Sequence, residues 1–254
     1  MRKPEAVRTF LATYNSLEDA GNTVSAIIGA GILPATLEMM DRLVMKAVED
    51  SIHAGYPLDA EAVLIIELDG IRDGMDRMAR RITEICQANR VREVKLAASE
   101  AERMKLWAGR KGAFGAVARL RPNYLVCDGT VPRTKLPEVL KKVVEIGKKY
   151  RLDIGNVFHA GDGNLHPLIL FDARDEEELT RVRLAGTEIL RICADAGGTI
   201  SGEHGVGAEK IHEMSFVSST DDRMAMKRVK AAFDPDEICN PGKILPEGLE
   251  GTAL

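Results

Sequence analysis

The chain has 254 residues, 45% hydrophobic and 29% charged, close to the averages of globular domains. That length suits one large domain or two small ones and is enough to bury a sizeable core. Lys and Arg number 35 against 39 Asp and Glu, a formal net charge of −4, which argues against a nucleic-acid partner because such proteins carry a basic excess.

The four cysteines, Cys86, Cys127, Cys193 and Cys239, stand far apart and form no CxxC pair. Zinc-ribbon and thioredoxin readings therefore fall away, and each cysteine is expected to be a small buried hydrophobe in a reducing compartment. Met1-Arg2-Lys3-Pro4-Glu5 lacks the apolar stretch of a secretory signal, and no apolar run is long enough to span a bilayer. A soluble, cytoplasmic protein is the expectation.

Val7 to Tyr14 reads as a strand, and Ser16 is placed to cap an amphipathic helix ending near Ala30-Gly31. Ala62 to Leu68, apolar and bounded by Asp69-Gly70, has the pattern of a buried strand. Arg72 to Asn89 repeats Met75, Met78, Ile82 and Ile85 at helical spacing. Glu93 to Ala97 reads as a strand. Ser99 with Glu102 three residues on is a capping-box signature for the helix carrying Trp107 and Arg110. Tyr124 to Cys127 reads as a strand closed by a turn at Asp128-Gly129, and Leu136 to Tyr150 as a Lys-rich amphipathic helix.

Asn156 to His159 and Pro167 to Phe171 read as strands around a glycine-rich turn, and Glu176 to Ala196 as a helix. Gly197-Gly198 then leads into a short strand ending at Ser201. The last helix, Asp221 to Phe233, stops at Asp234-Pro235, and the tail over 247–254 is expected to fray, leaving 1–246 as one folded domain. Strand–helix alternation with long crossovers predicts an α+β domain, an antiparallel or mixed sheet with helices packed on one face. Neither a G-x-G-x-x-G fingerprint opening a helix nor a Walker loop is present, so the chain has no nucleotide cradle of its own.

Two glycine-rich segments hold three of the five histidines. Val157 to Pro167 places His159 and His166 seven apart, and a hairpin there can set both imidazoles on one side at the spacing one metal ion needs. Two histidines alone are weak evidence, because a divalent site wants a third or fourth ligand. Turn histidines bonded to backbone have the same appearance in a sequence. Gly197 to Gly207 supplies Glu203 and His204 side by side among glycines that allow close backbone approach. The bland alternative is a Glu–His pair capping a helix N-terminus. His159, His166 and Glu203 would make a His₂-carboxylate set with open positions, the arrangement of catalytic rather than structural sites. Arg110 suits bidentate pairing with a carboxylate, though an Arg-Lys pair on a helix is more often a solvated face. His53 and His212 lie in helical contexts and read as surface or core filler. Phe233 to Lys243 is a helix stop followed by a tight turn.

Together these stretches resemble the C-terminal half of the FAD-linked 2-hydroxy-acid oxidases of the vanillyl-alcohol-oxidase type, which include D-lactate dehydrogenases and, nearest in look, the flavin-linked subunits of bacterial glycolate oxidases. The residues that carry the resemblance are Trp107 to Lys111, Asp128 to Arg133, Asn156 to Asp172, Ser201 to Gly207 and Ala231 to Lys243, with Leu37 to Asp41 and His53 to Pro57 upstream. The resemblance implies ferredoxin-like elements in the fold, FAD as cofactor and a divalent metal, zinc, held by His159, His166 and Glu203. It implies His204 as catalytic base, Arg110 as the partner of the substrate carboxylate, and Asn240 and Lys243 in a turn near the flavin. It further implies that FAD is bound mainly by a separate N-terminal domain or subunit, so that this chain is the substrate-and-metal half and is inactive in oxidation without it. Dicarboxylate-oxidising members carry an Asn two residues after the second metal histidine and a Lys in the strand before the Asp-Gly turn. Here Leu168 and Val126 stand in those places, which implies a small 2-hydroxy acid such as glycolate or D-lactate.

The partners implied are that acid, a flavin-binding domain or subunit, and an iron–sulfur subunit at the periphery of the inner membrane. An apolar surface that would meet the flavin domain would promote self-association in its absence. A second reading keeps the fold and the metal without oxidase activity, as an orphan binding module or a truncated remnant.

Overall fold

The computed structural model describes residues 4–246. In chain order the elements are β1 (Ala6–Tyr14), α1 (Leu17–Gly29), β2 (Thr36–Asp41), α2 (Arg42–Glu49), β3 (Ala62–Gly70), α3 (Met75–Ala88), β4 (Glu93–Leu96) and α4 (Glu100–Val117). They continue with β5 (Asn123–Val126), β6 (Gly129–Thr130), α5 (Leu136–Tyr150), β7 (Ile154–Phe158), β8 (Asn164–Leu165), β9 (Pro167–Phe171), α6 (Glu176–Asp195) and α7 (Thr220–Phe233).

Seven strands form one antiparallel sheet in the order β4-β1-β3-β2-β7-β9-β5. The portion β4-β1-β3-β2, crossed over by α1 and α3, is the ferredoxin-like βαββαβ arrangement. The portion β5-β9-β7, with α5 as crossover, repeats its first three strands. The two halves join edge to edge where Met39 pairs with Phe158 and Met40 with Val157. Asp41 stitches that seam. Its Oδ1 accepts the Val44 N–H at 3.0 Å as the N-cap of α2, while Oδ2 accepts the Asn156 backbone N–H at 2.7 Å and side-chain amide at 2.9 Å.

The helix starts follow their caps. Ser16 accepts the Asp19 N–H and Ser99 the Glu102 N–H. The Glu102 carboxylate turns back to Ala98 N–H rather than that of Ser99, so the expected box is only half closed. A complete box forms instead between Ser219 and Asp222 at the head of α7.

The α+β class and the antiparallel sheet agree with the sequence, but the helices do not all lie on one face. Phe10, Ala12, Leu64 and Ile66 bury against α1, α3, α5 and α6, whereas Leu11, Val63 and Ile65 bury against α2 and α4 on the other side. The physical reason is β3, apolar at successive positions and therefore demanding cover on both faces. The second cover comes from α2 and α4, whose stripes include Val44, Met45 and Val48, and Leu106, Ala113 and Val117. β2 and α2 were not expected from the sequence, because Thr36-Leu37-Glu38-Met39-Met40-Asp41 has little β-branched content to mark a strand.

Smaller differences have equally local causes. The strand expected before Ser201 is a single bridge between Thr130 and Thr199, because the chain beyond it curls around Asp128. Asp128-Gly129 is no simple turn, since Gly129 begins β6 and pairs with Leu165. Cys86, Cys127 and Cys193 are buried as expected, but Cys239 is exposed, lying in the turn after α7. His53 sits in a loop at φ 55° and His212 opens a short 3₁₀ turn, so neither is in an α-helix. The tail over 247–254 lies outside the described residues. Among the described residues no helix is long and apolar enough to cross a membrane.

Candidate active site

The hairpin of β7 and β9 pairs Ile154 with Ile169, Gly155 with Leu168 and Asn156 with Pro167, which leaves His159 and His166 at its open end. Their rings approach to 5.5 Å between centroids at an interplanar angle of 85°. Gly163 makes the intervening turn possible. It has φ +73° and lies so close to the Val131 carbonyl that a Cβ would collide with it.

The second segment is placed by Gly198, packed directly on the Thr130 carbonyl with no room for a side chain. Thr130 and Thr199 exchange backbone hydrogen bonds of 2.9 and 3.2 Å. Ser201 to Gly205 then wraps the fully buried carboxylate of Asp128. That carboxylate accepts from Ser201 Oγ at 2.8 Å and from the backbone N–H groups of Gly202, Glu203 and His204 at 3.2, 3.2 and 2.8 Å; Lys210 Nζ stands 3.4 Å away. Burial by itself would raise the Asp128 pKa, but the His204 N–H and Ser201 hydroxyl bonds, with the Lys210 charge, hold it below the usual carboxylate range.

The two segments meet on one oxygen. Glu203 Oε1 lies 2.8 Å from His166 Nε2, 3.6 Å from His159 Nε2 and 3.8 Å from His204 Nε2. The His204 ring stacks on His166 at 4.9 Å and 4°. Ligand atoms of Asp128, His166, Glu203 and His204 all lie within 4.8 Å of one another. Both oxygens of Asp128 are already engaged by the loop, so Asp128 shapes the cluster rather than offering a spare donor. Its Oδ1 stands 3.8 Å from His166 Nδ1, a buried nitrogen with no hydrogen-bond partner. Burial, and then the neighbouring His204, lower the His166 pKa and keep that ring neutral, the form that binds metal. The hydrogen bond to Glu38 raises that of His159.

Arg110 is not on a solvated face. Gly109 brings α4 so close to the preceding loop that a Cβ would stand 2.6 Å from Ala54 and 2.7 Å from the Tyr56 ring, and Tyr56 Oη donates to the Leu106 carbonyl at 2.5 Å. This contact turns Arg110 inward, where it is 6% exposed. Its Nε donates to Glu38 Oε2 at 3.0 Å. Nη2 is 2.8 Å from the same oxygen but poorly aligned, and has no other partner. Gly109→Ala is therefore expected to destabilise the chain by about 1–3 kcal/mol through overpacking, and a urea midpoint equal to that of the unaltered chain would refute this packing argument.

Of the residues singled out in the sequence, His159, His166, Glu203 and His204 come together, and Arg110 joins them through Glu38. Asn240 and Lys243 do not. They lie in an exposed turn, with Lys243 Nζ 3.3 Å from Asn240 Oδ1, and neither side chain hydrogen-bonds to the histidine cluster. The turn is tied to the glycine segment by Ile244 N–H donating to the Gly207 carbonyl at 2.7 Å. Glu38, Asp128 and Lys210 were missed as site residues. The available signal was an acid interrupting an apolar strand at Glu38 and another ending one at Asp128.

Residues 3–244 match the family described as FAD linked oxidases, C-terminal domain. The chain belongs to that family. This C-terminal oxidase domain is 50% identical over 244 residues to the glycolate oxidase subunit GlcD of Escherichia coli (strain K12), covering 96% of this chain and 49% of that protein. It is 42% identical over 242 residues to the subunit of the same name from Bacillus subtilis (strain 168), covering 95% and 52%. The C-terminal oxidase domain thus spans about half the length of these relatives. Among solved structures its fold is similar to that of 4-ethylphenol oxidase from Gulosibacter chungangensis, with a TM-score of 0.70 at 18% identity over 98% of this chain and 56% of that one.

Proposed function

We propose that this chain is the substrate- and metal-binding half of a flavin-dependent oxidoreductase that oxidises a small 2-hydroxy acid of the glycolate or D-lactate class to the 2-oxo acid. The observation that carries the reading is the convergence of three imidazole Nε2 atoms on the Glu203 carboxylate, beside a buried arginine with an unsatisfied donor. Two imidazoles and a carboxylate suit zinc, iron or manganese, and zinc is the proposed ion. His159, His166 and Glu203 would hold it.

When bound, the cation supplies Lewis acidity that lowers the pKa of a ligated hydroxyl, and FAD supplies the hydride acceptor. Arg110 pairs with the substrate carboxylate through the guanidinium donors that Glu38 leaves free, which orients C2–H. His204 takes the hydroxyl proton at Nε2, the nitrogen nearer Glu203, as general base. Asn240 and Lys243, in their exposed turn, would be the residues of this chain that face the flavin. Leu168 of β9 and Val126 of β5, paired in the sheet, are apolar where dicarboxylate-oxidising members carry polar residues, in keeping with a monocarboxylate.

The partner in this reading is a flavin-binding domain or subunit. α7 has no buried residue, and Phe233 at its last position and Ile238 in the turn beyond it are 88% and 77% exposed, an apolar surface suited to that contact and, without it, to self-association. An iron–sulfur subunit and a place at the periphery of the inner membrane, facing the cytoplasm, belong to the same proposal; the Escherichia coli relative is named as a subunit.

Mixing the zinc-treated chain with the flavin-binding half of GlcD tests the reading. Glycolate- or D-lactate-dependent dye reduction should appear only in the mixture and should be lost with His204→Ala. A mixture that associates but reduces no dye with either acid would favour a binding module without oxidase activity.

A further inference from the structure

Glu38 touches both ends of the proposed site. It lies in β2, opposite Ile65 of β3, and is 5% exposed. Its Oε1 is 2.9 Å from His159 Nδ1, and its Oε2 accepts from Arg110 Nε at 3.0 Å. These contacts join residues 121 and 72 positions apart in sequence. The backbone around them leaves little play. Gly161 N–H donates to the Leu37 carbonyl at 2.9 Å, locking the histidine turn onto β2 one residue from Glu38, while Gly109 locks α4 from the other side.

We propose that Glu38 is a positioning residue that serves the metal ligand His159 and the carboxylate partner Arg110 at once. The inference rests on the functional reading above and deepens it. A carboxylate accepting from Nδ1 fixes the tautomer with its proton there, so that the Nε2 lone pair faces Glu203, His166 and the metal position. The other oxygen holds the Arg110 fork from its Nε side, leaving Nη donors for an incoming anion. One charged side chain thereby sets the spacing between the cation and the guanidinium, which is the spacing a 2-hydroxy acid must bridge with its hydroxyl and carboxylate.

Zinc affinity of the full chain, measured by competition with a chromophoric chelator, provides the test. Glu38→Gln should weaken zinc by about 10–100-fold, the usual effect of removing a partner that orients a metal ligand. If Glu38 acts on the metal through His159, adding Glu38→Gln to His159→Ala should cost no further affinity, a complete failure of additivity. Wild-type zinc affinity in Glu38→Gln, or a loss that adds in full to that of His159→Ala, overturns the proposal while leaving the metal site standing. An unaltered chain that takes up no zinc removes the functional reading, and this inference with it. Should Glu38→Gln fail to fold, nitrogen-15 spectra of the zinc-loaded unaltered chain decide. Coordination of His159 through Nε2 with Nδ1 protonated supports the role of Glu38, and coordination through Nδ1 overturns it.

Discussion

A chain carrying His159→Ala and His166→Ala together is expected to hold no divalent metal after dialysis against zinc, whereas the unaltered chain retains about one equivalent, as a single tetrahedral-type site requires. The effect should be large because two of three proposed ligands go, from sites whose binding free energies are of the order of 10 kcal/mol. Plasma mass spectrometry on both proteins reads it directly, and near-ultraviolet circular dichroism checks that the double variant is folded. His166 is 2% exposed, so its truncation leaves a void and some loss of stability is expected alongside. Metal retained by the double variant would place the ion elsewhere. Metal retained by neither protein would remove the Lewis-acid component and move the inactive-remnant reading forward.

The second large effect is on stability. Asp128→Ala should cost about 3–5 kcal/mol, the range for removing one partner of a buried ion pair. The substitution leaves Lys210, itself 5% exposed, without its counter-charge. It also strands the Ser201 hydroxyl and the backbone donors of Gly202, Glu203 and His204. Urea unfolding measures the loss, and hydrogen exchange at Glu203 and His204 locates it. The pH dependence follows from the lowered pKa of Asp128. Its stabilising contribution is fully present above the unfolded-state carboxylate value of about 4 and is lost as pH falls through the lower folded value. The stability gap between the two proteins should therefore be flat around neutrality and close only in acid. A gap that closes between pH 8 and 6 would assign the stabilisation to another group.

Much of the local structure was legible in the residues themselves. Ser16 and Ser99 announce their helices because a side-chain oxygen can satisfy an orphan N–H whatever lies elsewhere in the chain. Met75, Ile82 and Ile85 mark a helix face, and the apolar run from Ala62 to Ile66 within Ala62 to Leu68 marks a buried strand. The same run implied a second layer of helices, an implication that becomes visible only once α2 is seen to cover Val63 and Ile65. The pairing of His159 with His166 was legible too, since a glycine-rich hairpin returns two strand ends to one place.

The sequence by itself determined the local elements, the glycines that let backbones touch, and the histidine-bearing segments that form the candidate site. Tertiary structure alone decided that Glu38 and Asp128 serve that site and that Arg110 turns inward toward it. Glu38 in a strand meets His159 across 121 residues and Arg110 of a helix across 72, and Asp128 beyond a strand end meets the His204 backbone across 76. In a linear chain a carboxylate destined for the interior has the same composition and spacing as one destined for water. Burial, and the need it creates for a partner, arises only when β2 pairs with β7 and α4 closes over the sheet.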